Sequence, residues 1–249
     1  MSKKFIIENT IAANHLTLSV TGRIWYNETA NALKEVIDNA LSQGATSSTL
    51  TITTPGGNVF EAVDIIAQLK RLPNLQIICG SVVASAGTRI LAEFENVTAN
   101  SATQFMIHKP SGSIDGNEDD IESELKAIKN ITADYRKAYA KKFKKTEDEV
   151  EALWQKNYWM TADEALQMGL INAVVVEEVP YDASVVEMMV ACGCPTIPKP
   201  TQNNLQMDKN QIIAALGMSA DATDEQIAAK IKENKQKADS ATAVETQAD

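Results

Sequence analysis

The fold of this chain is decided by the stretch from Thr49 to Gly57, which reads Thr-Leu-Thr-Ile-Thr-Thr-Pro-Gly-Gly. Its β-branched first half predicts a short strand, and the strand runs into a Pro-Gly-Gly turn. Residues 59–72 follow with apolar side chains at helical spacing, and Pro73 ends that helix. A strand that leads through a turn into a helix is the unit from which parallel α/β sheets are built.

The neighbouring segments continue this alternation of strands and helices. Further strands are predicted at residues 16–20, 75–79 and 104–107, and helices at residues 27–41 and 85–93. Strands alternating with helices of this length indicate βαβ units. The sequence therefore predicts an α/β fold with a largely parallel sheet.

Composition limits the classes of function. The 249 residues are 44% hydrophobic but only 5% aromatic, which predicts a sizeable core that is aliphatic and rich in alanine. The net charge of -10 argues against nucleic acid as the main partner, since phosphate binding needs a basic surface. No apolar run is long enough for a membrane span, and the N-terminal run is too short for a secretory signal. We therefore expect a cytoplasmic protein without a membrane partner.

The three cysteines fit the same compartment. Cys79 falls in a predicted buried strand, where a thiol acts as a small apolar side chain. Cys192 and Cys194 are too close together for an ordinary disulfide, and they lack the nearby histidines of a zinc site. We expect neither a disulfide framework nor a metal or other cofactor.

Two further motifs carry candidate chemistry. Ser85 lies between Ala84 and Ala86 with Gly87 beyond, and small neighbours allow a peptide backbone to approach closely. His108 follows an apolar strand, and a histidine is the usual base that activates a serine hydroxyl. Each motif alone also fits a structural serine, histidine or turn, but their joint order favours a serine hydrolase.

The chain has few competing residues for these roles. Ser81 is the nearest serine that could compete as the nucleophile, but its neighbours are bulkier. His15 is the second of two histidines, and it is predicted to be a surface residue because no motif surrounds it.

Taken together, the Pro-Gly-Gly turn, the Ala-Ser-Ala-Gly segment and the Met-Ile-His-Lys-Pro sequence at residues 106–110 resemble the Clp family of serine peptidases (ClpP family). The resemblance runs from about residue 15 to about residue 178. The resemblance includes residues 159–171, which read Trp-Met-Thr-Ala-Asp-Glu-Ala-Leu-Gln-Met-Gly-Leu-Ile. This segment is more similar to the phage and prophage branch of the family, the head-maturation proteases, than to the housekeeping enzyme.

The resemblance implies several properties. The fold would be a crotonase/ClpP-like superhelix of ββα units with a projecting handle helix. Ser85 would be the nucleophile and His108 the general base, and the N–H groups of Gly57 and Ala86 would form the oxyanion hole. The chain would assemble into a homo-oligomeric ring, for which a heptameric, stacked arrangement is one option. The substrate would be unfolded or scaffold polypeptide in the cytoplasm, or in the host cytoplasm if a prophage encodes the chain. The phage branch implies no ATPase, whereas the housekeeping enzymes would require an AAA+ unfoldase.

The third catalytic position departs from the family pattern. The family places an acid, usually Asp, where this chain has Asn157. An amide oxygen can orient an imidazole but cannot offset its positive charge. Three alternatives follow: Asn157 orients His108 in a slower enzyme, a carboxylate such as Asp163 or Glu164 substitutes, or the protein is a largely inactive ring subunit.

A long helix is predicted to begin near Asn117. Apolar and aromatic side chains follow a four-three spacing, and acidic residues crowd its start while basic residues crowd its end. The members of the stripe are Ile121, Leu125, Ile128, Thr132, Tyr135 and Tyr139. The helix is either a solvated surface helix or the handle that the resemblance implies.

The C-terminal part differs in composition from residues 1–194. Prolines indicate a linker over residues 195–207, and residues 208–249 predict a small helical tail similar to segments of phage scaffold proteins. Thr223 and Gln226 form a capping-box pattern, and residues from Lys235 onward are expected to be disordered.

Two other functions remain open from the sequence. An assembly or scaffold subunit could use the same fold with little or no catalysis, which Asn157 and the tail would both fit. An acyl-CoA enzyme of the crotonase type would share the fold and the oxyanion turn, but it would not need the pair Ser85 and His108.

Overall fold

The computed structural model describes residues 5–175 and 183–197, together with the single positions 223, 226 and 230. The chain divides into two units, Met1–Thr201 and Gln202–Asp249, and the fold described below belongs to the first. The predicted linker and helical tail lie almost entirely outside the described residues. The capping box is an exception and is confirmed: Thr223 N–H donates to Gln226 Oε1 at 2.9 Å, and Gln226 N–H donates to Thr223 Oγ1 at 3.3 Å.

The described part of the chain contains strands and helices that largely alternate. The strands are β1 (Ile6–Ala12), β2 (His15–Thr21), β3 (Ser47–Thr54), β4 (Leu75–Ala84), β5 (Val97–Asn100), β6 (Gln104–Ile107), β7 (Tyr158–Thr161) and β8 (Ala173–Val175). The helices are α1 (Thr29–Ser42), α2 (Val59–Leu69), α3 (Ala86–Leu91), α4 (Glu118–Phe143), α5 (Glu147–Leu153), α6 (Ala162–Met168) and α7 (Ala183–Ala191).

The sheet is largely parallel, as predicted. Its main path runs β1-β2-β3-β4-β5-β8; the β1–β2 hairpin is antiparallel and the other pairs of this path are parallel. Strands β2 and β3 place alternate apolar residues in the core, while α1 and α2 cover them. The result is a mixed α/β fold.

Strand β4 belongs to two parts of the sheet. Its first half, Ile77 to Cys79, pairs with β5, and its last residues, Val82 to Ala84, pair with β6. The register against β3 shifts between these halves, since Ile52 opposes Cys79 but Thr54 opposes Val83. This irregularity turns the end of β4 toward β6, whose other neighbour is the antiparallel strand β7.

The core is aliphatic along the sheet, as the composition predicts, and aromatic at the root of α4. Tyr139 stacks on Phe143 and meets Tyr135 and Trp154 edge-on, with ring centroids 5.5 to 6.3 Å apart. These four side chains are buried, whereas Ile121 and Leu125 in the first half of α4 are 45% and 42% exposed. Only the second half of this helix is therefore anchored in the core.

The predicted start of α4 is confirmed. Asn117 caps the helix by accepting hydrogen bonds from the N–H groups of Asp119 and Asp120, and the Asp120 carboxylate accepts one from Asn117 N–H. Three acidic residues lie in the first turn, where they complement the helix dipole.

Candidate active site

Ser85 stands at a sharp turn between β4 and α3. The sequence predicts it as the first helical residue, but it lies outside the helix with φ 55° and ψ −122°. A non-glycine residue in this region is strained and must be held by its surroundings. Ser85 N–H donates to Met106 O at 2.8 Å, and Ser85 O accepts from Thr88 N–H at 3.0 Å and from Thr88 Oγ1 at 2.7 Å.

His108 meets Ser85 because the two residues follow adjacent parallel strands. Ala84 at the end of β4 pairs with Met106 near the end of β6, so the next residues of both strands emerge at the same edge. Ser85 Oγ lies 2.6 Å from His108 Nε2. This is within the range for direct proton transfer between a hydroxyl and an imidazole.

The environment of His108 favours the neutral imidazole. Burial lowers the pKa of His108 below its ordinary value of 6.5, because desolvation penalises the charged ring. No neighbouring carboxylate contributes to this shift. A neutral Nε2 can accept the hydroxyl proton of Ser85.

The Pro-Gly-Gly turn follows β3, the other neighbour of β4, and lies against the same peptide. A Cβ on Gly56 would stand 2.6 Å from Ser85 Cβ and 2.9 Å from Ala86 N, and a Cβ on Gly57 would stand 2.1 Å from Ile24 O. Both glycines have positive φ, at 90° and 152°. The turn therefore needs glycine at both positions for space as well as for backbone conformation.

Two backbone N–H groups remain available beside Ser85. Ile24 forms a bridge with Gly57 by bonding to Gly56 O and Asn58 N–H, which leaves the N–H of Gly57 facing away from Ile24. Ala86 is the first residue of α3, so its N–H lacks an acceptor within the helix. Within residues 5–175 and 183–197, neither N–H donates a hydrogen bond.

Asn157 lies in the same cleft as Ser85 and His108. It precedes β7, whose residue Tyr158 pairs with Ile107, so β6 and β7 bring Asn157 beside His108. No hydrogen bond joins them, and His108 Nδ1 has no partner among the residues that the structure describes. The third contact of a serine–histidine–acid set is therefore not formed within residues 5–175 and 183–197.

The two alternative carboxylates are placed elsewhere. Glu164 accepts hydrogen bonds from Thr161 N–H at 2.8 Å and from Thr161 Oγ1 at 3.1 Å, which caps α6. Asp163 is exposed, and neither residue lines the cleft.

The competing hydroxyl and the second histidine also lie outside the cleft. Ser81 is buried within β4 and does not line it. His15, which the sequence predicts to be a surface residue, is half-buried. It hydrogen-bonds to Ser47 Oγ at 2.7 Å and to Thr49 Oγ1 at 3.1 Å. Cys79 is fully buried, as predicted, and burial raises its pKa.

The cleft over Ser85 has a volume of about 530 Å³, and a second cleft of about 360 Å³ adjoins it. Arg23, Gly57 and Pro110 line both clefts, so the two form one groove. The residues that line the second cleft include Ile128 and Ile131 on α4. A groove formed by two adjoining clefts of these volumes has room for several residues of a peptide.

Sequence reasoning missed two groups of residues at the site. The hydroxyl of Tyr139 lies 2.8 Å from Thr88 Oγ1 beneath Ser85. The sequence places Tyr139 in the apolar stripe of a helix, but no sequence pattern predicts that its hydroxyl contacts Thr88. Helix α7 lines the cleft with Glu187 and Met188, and its four-residue spacing of Val185 and Met189 is too short a signal to predict it.

The described residues contain no cluster of three or more histidine, cysteine or acidic side chains that could hold a metal ion. Among the helices in that part of the chain, none has both the length and the apolar character needed to cross a membrane.

A largely parallel sheet that brings a serine, a histidine and a glycine turn to one edge is an arrangement suited to hydrolases that act through a serine. The family model described as Clp protease matches residues 17–178 of this chain. The match covers more than half of the chain, which therefore belongs to the Clp protease family.

Two curated relatives agree with this assignment. The chain is 33% identical over 131 residues to the ATP-dependent Clp protease proteolytic subunit 2 of Pseudomonas aeruginosa, covering 51% of this chain and 65% of the relative. It is 32% identical over 130 residues to the protein of the same name from Gluconobacter oxydans, covering 50% of this chain and 58% of the relative. The chain thus spans less than two thirds of the length of each.

Proposed function

We propose that this chain is a Clp-type serine endopeptidase. The observation that carries the proposal is the 2.6 Å contact between Ser85 Oγ and His108 Nε2, beside two backbone N–H groups without acceptors in the described chain. Membership of the Clp protease family supports the same reaction class.

The residues would act in sequence. His108 Nε2 takes the proton of Ser85 as Oγ attacks the carbonyl carbon of a peptide bond, and Gly57 and Ala86 donate their N–H groups to the oxyanion. The imidazolium then gives its proton to the leaving amine, and an acyl-enzyme forms at Ser85. Water, deprotonated by His108, hydrolyses that ester and restores the serine.

In this proposal, Asn157 orients His108 through its amide oxygen. The side chains would have to move to form this hydrogen bond, since the two residues line one cleft without one. Glu164 is a weaker candidate for this role because it caps α6.

A fluorophosphonate probe tests the proposal on the full chain. The probe should label the protein, and Ser85→Ala should abolish the labelling. Ser81→Ala is the matched control, because Ser81 lies on the same strand but outside the cleft, and it should still be labelled. Absence of labelling in the assembled protein would contradict the proposal.

The second candidate function is a catalytically weak or inactive assembly subunit. The unpartnered Nδ1 of His108 in the described structure favours it, because an unoriented imidazole is a poor base. Normal assembly combined with no probe labelling would select this function.

We also propose a homo-oligomeric ring in which the first half of α4 acts as the handle. The exposed Ile121 and Leu125 support this, since a helix with apolar side chains in water gains by packing against a partner. Native mass spectrometry should give a multiple of the 27.0 kDa chain, and a monomer would contradict the ring.

The finer proposal is that the substrate is scaffold or unfolded polypeptide in phage or prophage head maturation, in the cytoplasm of the host. The similarity of residues 159–171 to that branch supports it. Unfolded casein should then be cleaved without ATP or an unfoldase. Cleavage of short peptides alone would favour a housekeeping-type enzyme that needs an unfoldase.

A further inference from the structure

Helix α7 lies outside the part of the chain that matches the Clp protease family, which ends at residue 178. It is nevertheless packed against the strands that carry the candidate catalytic residues. Val185, Met189 and Cys194 are buried in a cluster with Val82 and Ala84 of β4 and Met106 of β6. The helix is therefore held next to Ser85 and His108.

The other side of α7 lines the cleft. The lining residues of the helix are Ser184, Glu187, Met188 and Ala191, and Cys192 lines the cleft directly after it. Their spacing of three and four residues places them along a single face of the helix. One face of α7 thus packs on the sheet while the adjacent face borders the space above Ser85.

Two features of this face are chemically distinctive. Met188 and Met106 both line the cleft, and flexible thioether side chains adapt to apolar groups of different shape. Glu187 is exposed, and it has no ion-pair partner within the described residues. A carboxylate at this place can attract a cationic side chain of a bound peptide.

A positive charge also lines the groove. Arg23 lines the region where the two clefts join, and its guanidinium lies 5.3 Å from the centroid of the Trp25 ring. Helix α7 does not line the second cleft. The second cleft is also lined by Glu124 of α4, so it carries a charge of each sign. Among the described residues that line the cleft over Ser85, Glu187 is the only carboxylate.

We propose that α7 is a specificity-determining wall of the peptide groove, which takes an apolar substrate side chain at Met188 and a basic side chain at Glu187. This inference rests on the proposed peptidase function. In this proposal α7, which lies beyond the part of the chain that matches the family, selects substrates that have a basic residue on the α7 side of the cleaved bond.

Peptide binding tests this inference separately from catalysis. Full-length protein with Ser85→Ala is titrated with fluorescein-labelled decapeptides that contain one leucine and differ only in a neighbouring Lys, Gln or Glu. The Lys peptide should bind about threefold to fivefold more tightly than the Glu peptide at low salt. In the same background Glu187→Gln should remove this difference and Glu187→Lys should reverse it.

The matched control is Glu122→Lys, which makes the same change of charge at an exposed position of α4 that lines neither cleft. It should keep the preference for the Lys peptide. Met188→Ala should weaken the binding of the peptides that contain leucine. It should not weaken the binding of matched peptides in which alanine replaces that leucine.

The outcomes separate the two proposals. Equal binding of all three charged peptides, or an equal effect of Glu187→Lys and Glu122→Lys, overturns the role of α7 even if the unmodified chain cleaves peptides. A preference that follows Glu187, together with no cleavage by the unmodified chain, supports the groove wall and overturns the peptidase function instead.

Discussion

The Tyr139 hydroxyl on α4 lies 2.8 Å from Thr88 Oγ1 on α3, in the interior beneath Ser85. Thr88 Oγ1 also lies 2.7 Å from Ser85 O and donates its proton to that carbonyl, so Tyr139 is the donor to Thr88. Burial raises the pKa of Tyr139, which therefore stays protonated. The long helix is thus connected through two hydroxyls to the strained backbone of the candidate nucleophile.

The first prediction concerns this connection. Tyr139→Phe should lower the rate of probe labelling at Ser85 by about threefold to tenfold, since one buried hydrogen bond contributes about 1 kcal/mol. The measurement is the labelling rate of folded protein, together with the melting temperature. Ser42→Ala removes an exposed hydroxyl that bonds Asn39 O far from the site, and it should leave the labelling rate unchanged. A lower melting temperature with an unaltered labelling rate would make the role of Tyr139 purely structural.

The second prediction concerns the missing acid. Asn157→Asp should raise peptide hydrolysis at least tenfold, because a carboxylate both orients the imidazole and stabilises its charge; the reverse change in a serine protease lowers turnover by about 10⁴. Steady-state kinetics with a fluorogenic peptide measures the effect, and Asn157→Ala should lower the rate. An unchanged rate in Asn157→Asp would mean that another group already orients His108.

The third prediction concerns pH. Because burial lowers the pKa of His108, the neutral base should persist below pH 6.5 and the acid limb of kcat/KM should lie below that value. The same shift makes the free energy of unfolding depend on pH. The contribution of His108 is full above its ordinary pKa and decreases as the pH falls below that value, because the unfolded chain then binds the proton more readily. Measuring kcat/KM over pH 4.5–8 locates the acid limb. Asn157→Asp should move this limb to higher pH, because a carboxylate stabilises the imidazolium.

The fourth prediction concerns the glycine turn. Gly57→Ala should both destabilise the fold and lower the probe-labelling rate about 10²-fold or more, because its Cβ would meet Ile24 O at 2.1 Å and displace an oxyanion donor. Gly44→Ala is the control, with φ 77° but nothing within 4 Å of the added Cβ. It should cost about 1–2 kcal/mol in urea unfolding and leave the labelling rate unchanged. Equal effects of the two substitutions would argue against a catalytic role of the turn.

Much of the site could be predicted because it is encoded locally. Ser85 and His108 each follow a strand with a clear apolar pattern, and the ends of neighbouring parallel strands meet at one edge. The Pro-Gly-Gly turn is likewise visible in the sequence, since positive φ and close packing leave glycine as the fitting residue at positions 56 and 57.

The rest depends on distances that no local pattern carries. The identity of Asn157 can be read, but its lack of a hydrogen bond to His108 follows from the exact pairing of β6 with β7. Strand β1 was missed although its residues 6–12 pair with β2, because their polar side chains do not alternate with apolar ones. The conformation of Ser85 was also misjudged: its hydrogen bonds to Met106 and Thr88 hold a backbone that helix propensity alone would not favour.

The four residues of β6 lie between β4 and β7 and connect the elements that carry Ser85, His108 and Asn157. His108 leaves the end of this strand, and Asn157 approaches through its partner, so neither can shift far from Ser85 unless the ladder itself opens. Separation of β6 from β4 would withdraw the base and its orienting amide in one movement. Activity should therefore vanish in a single cooperative step under mild denaturant instead of declining residue by residue.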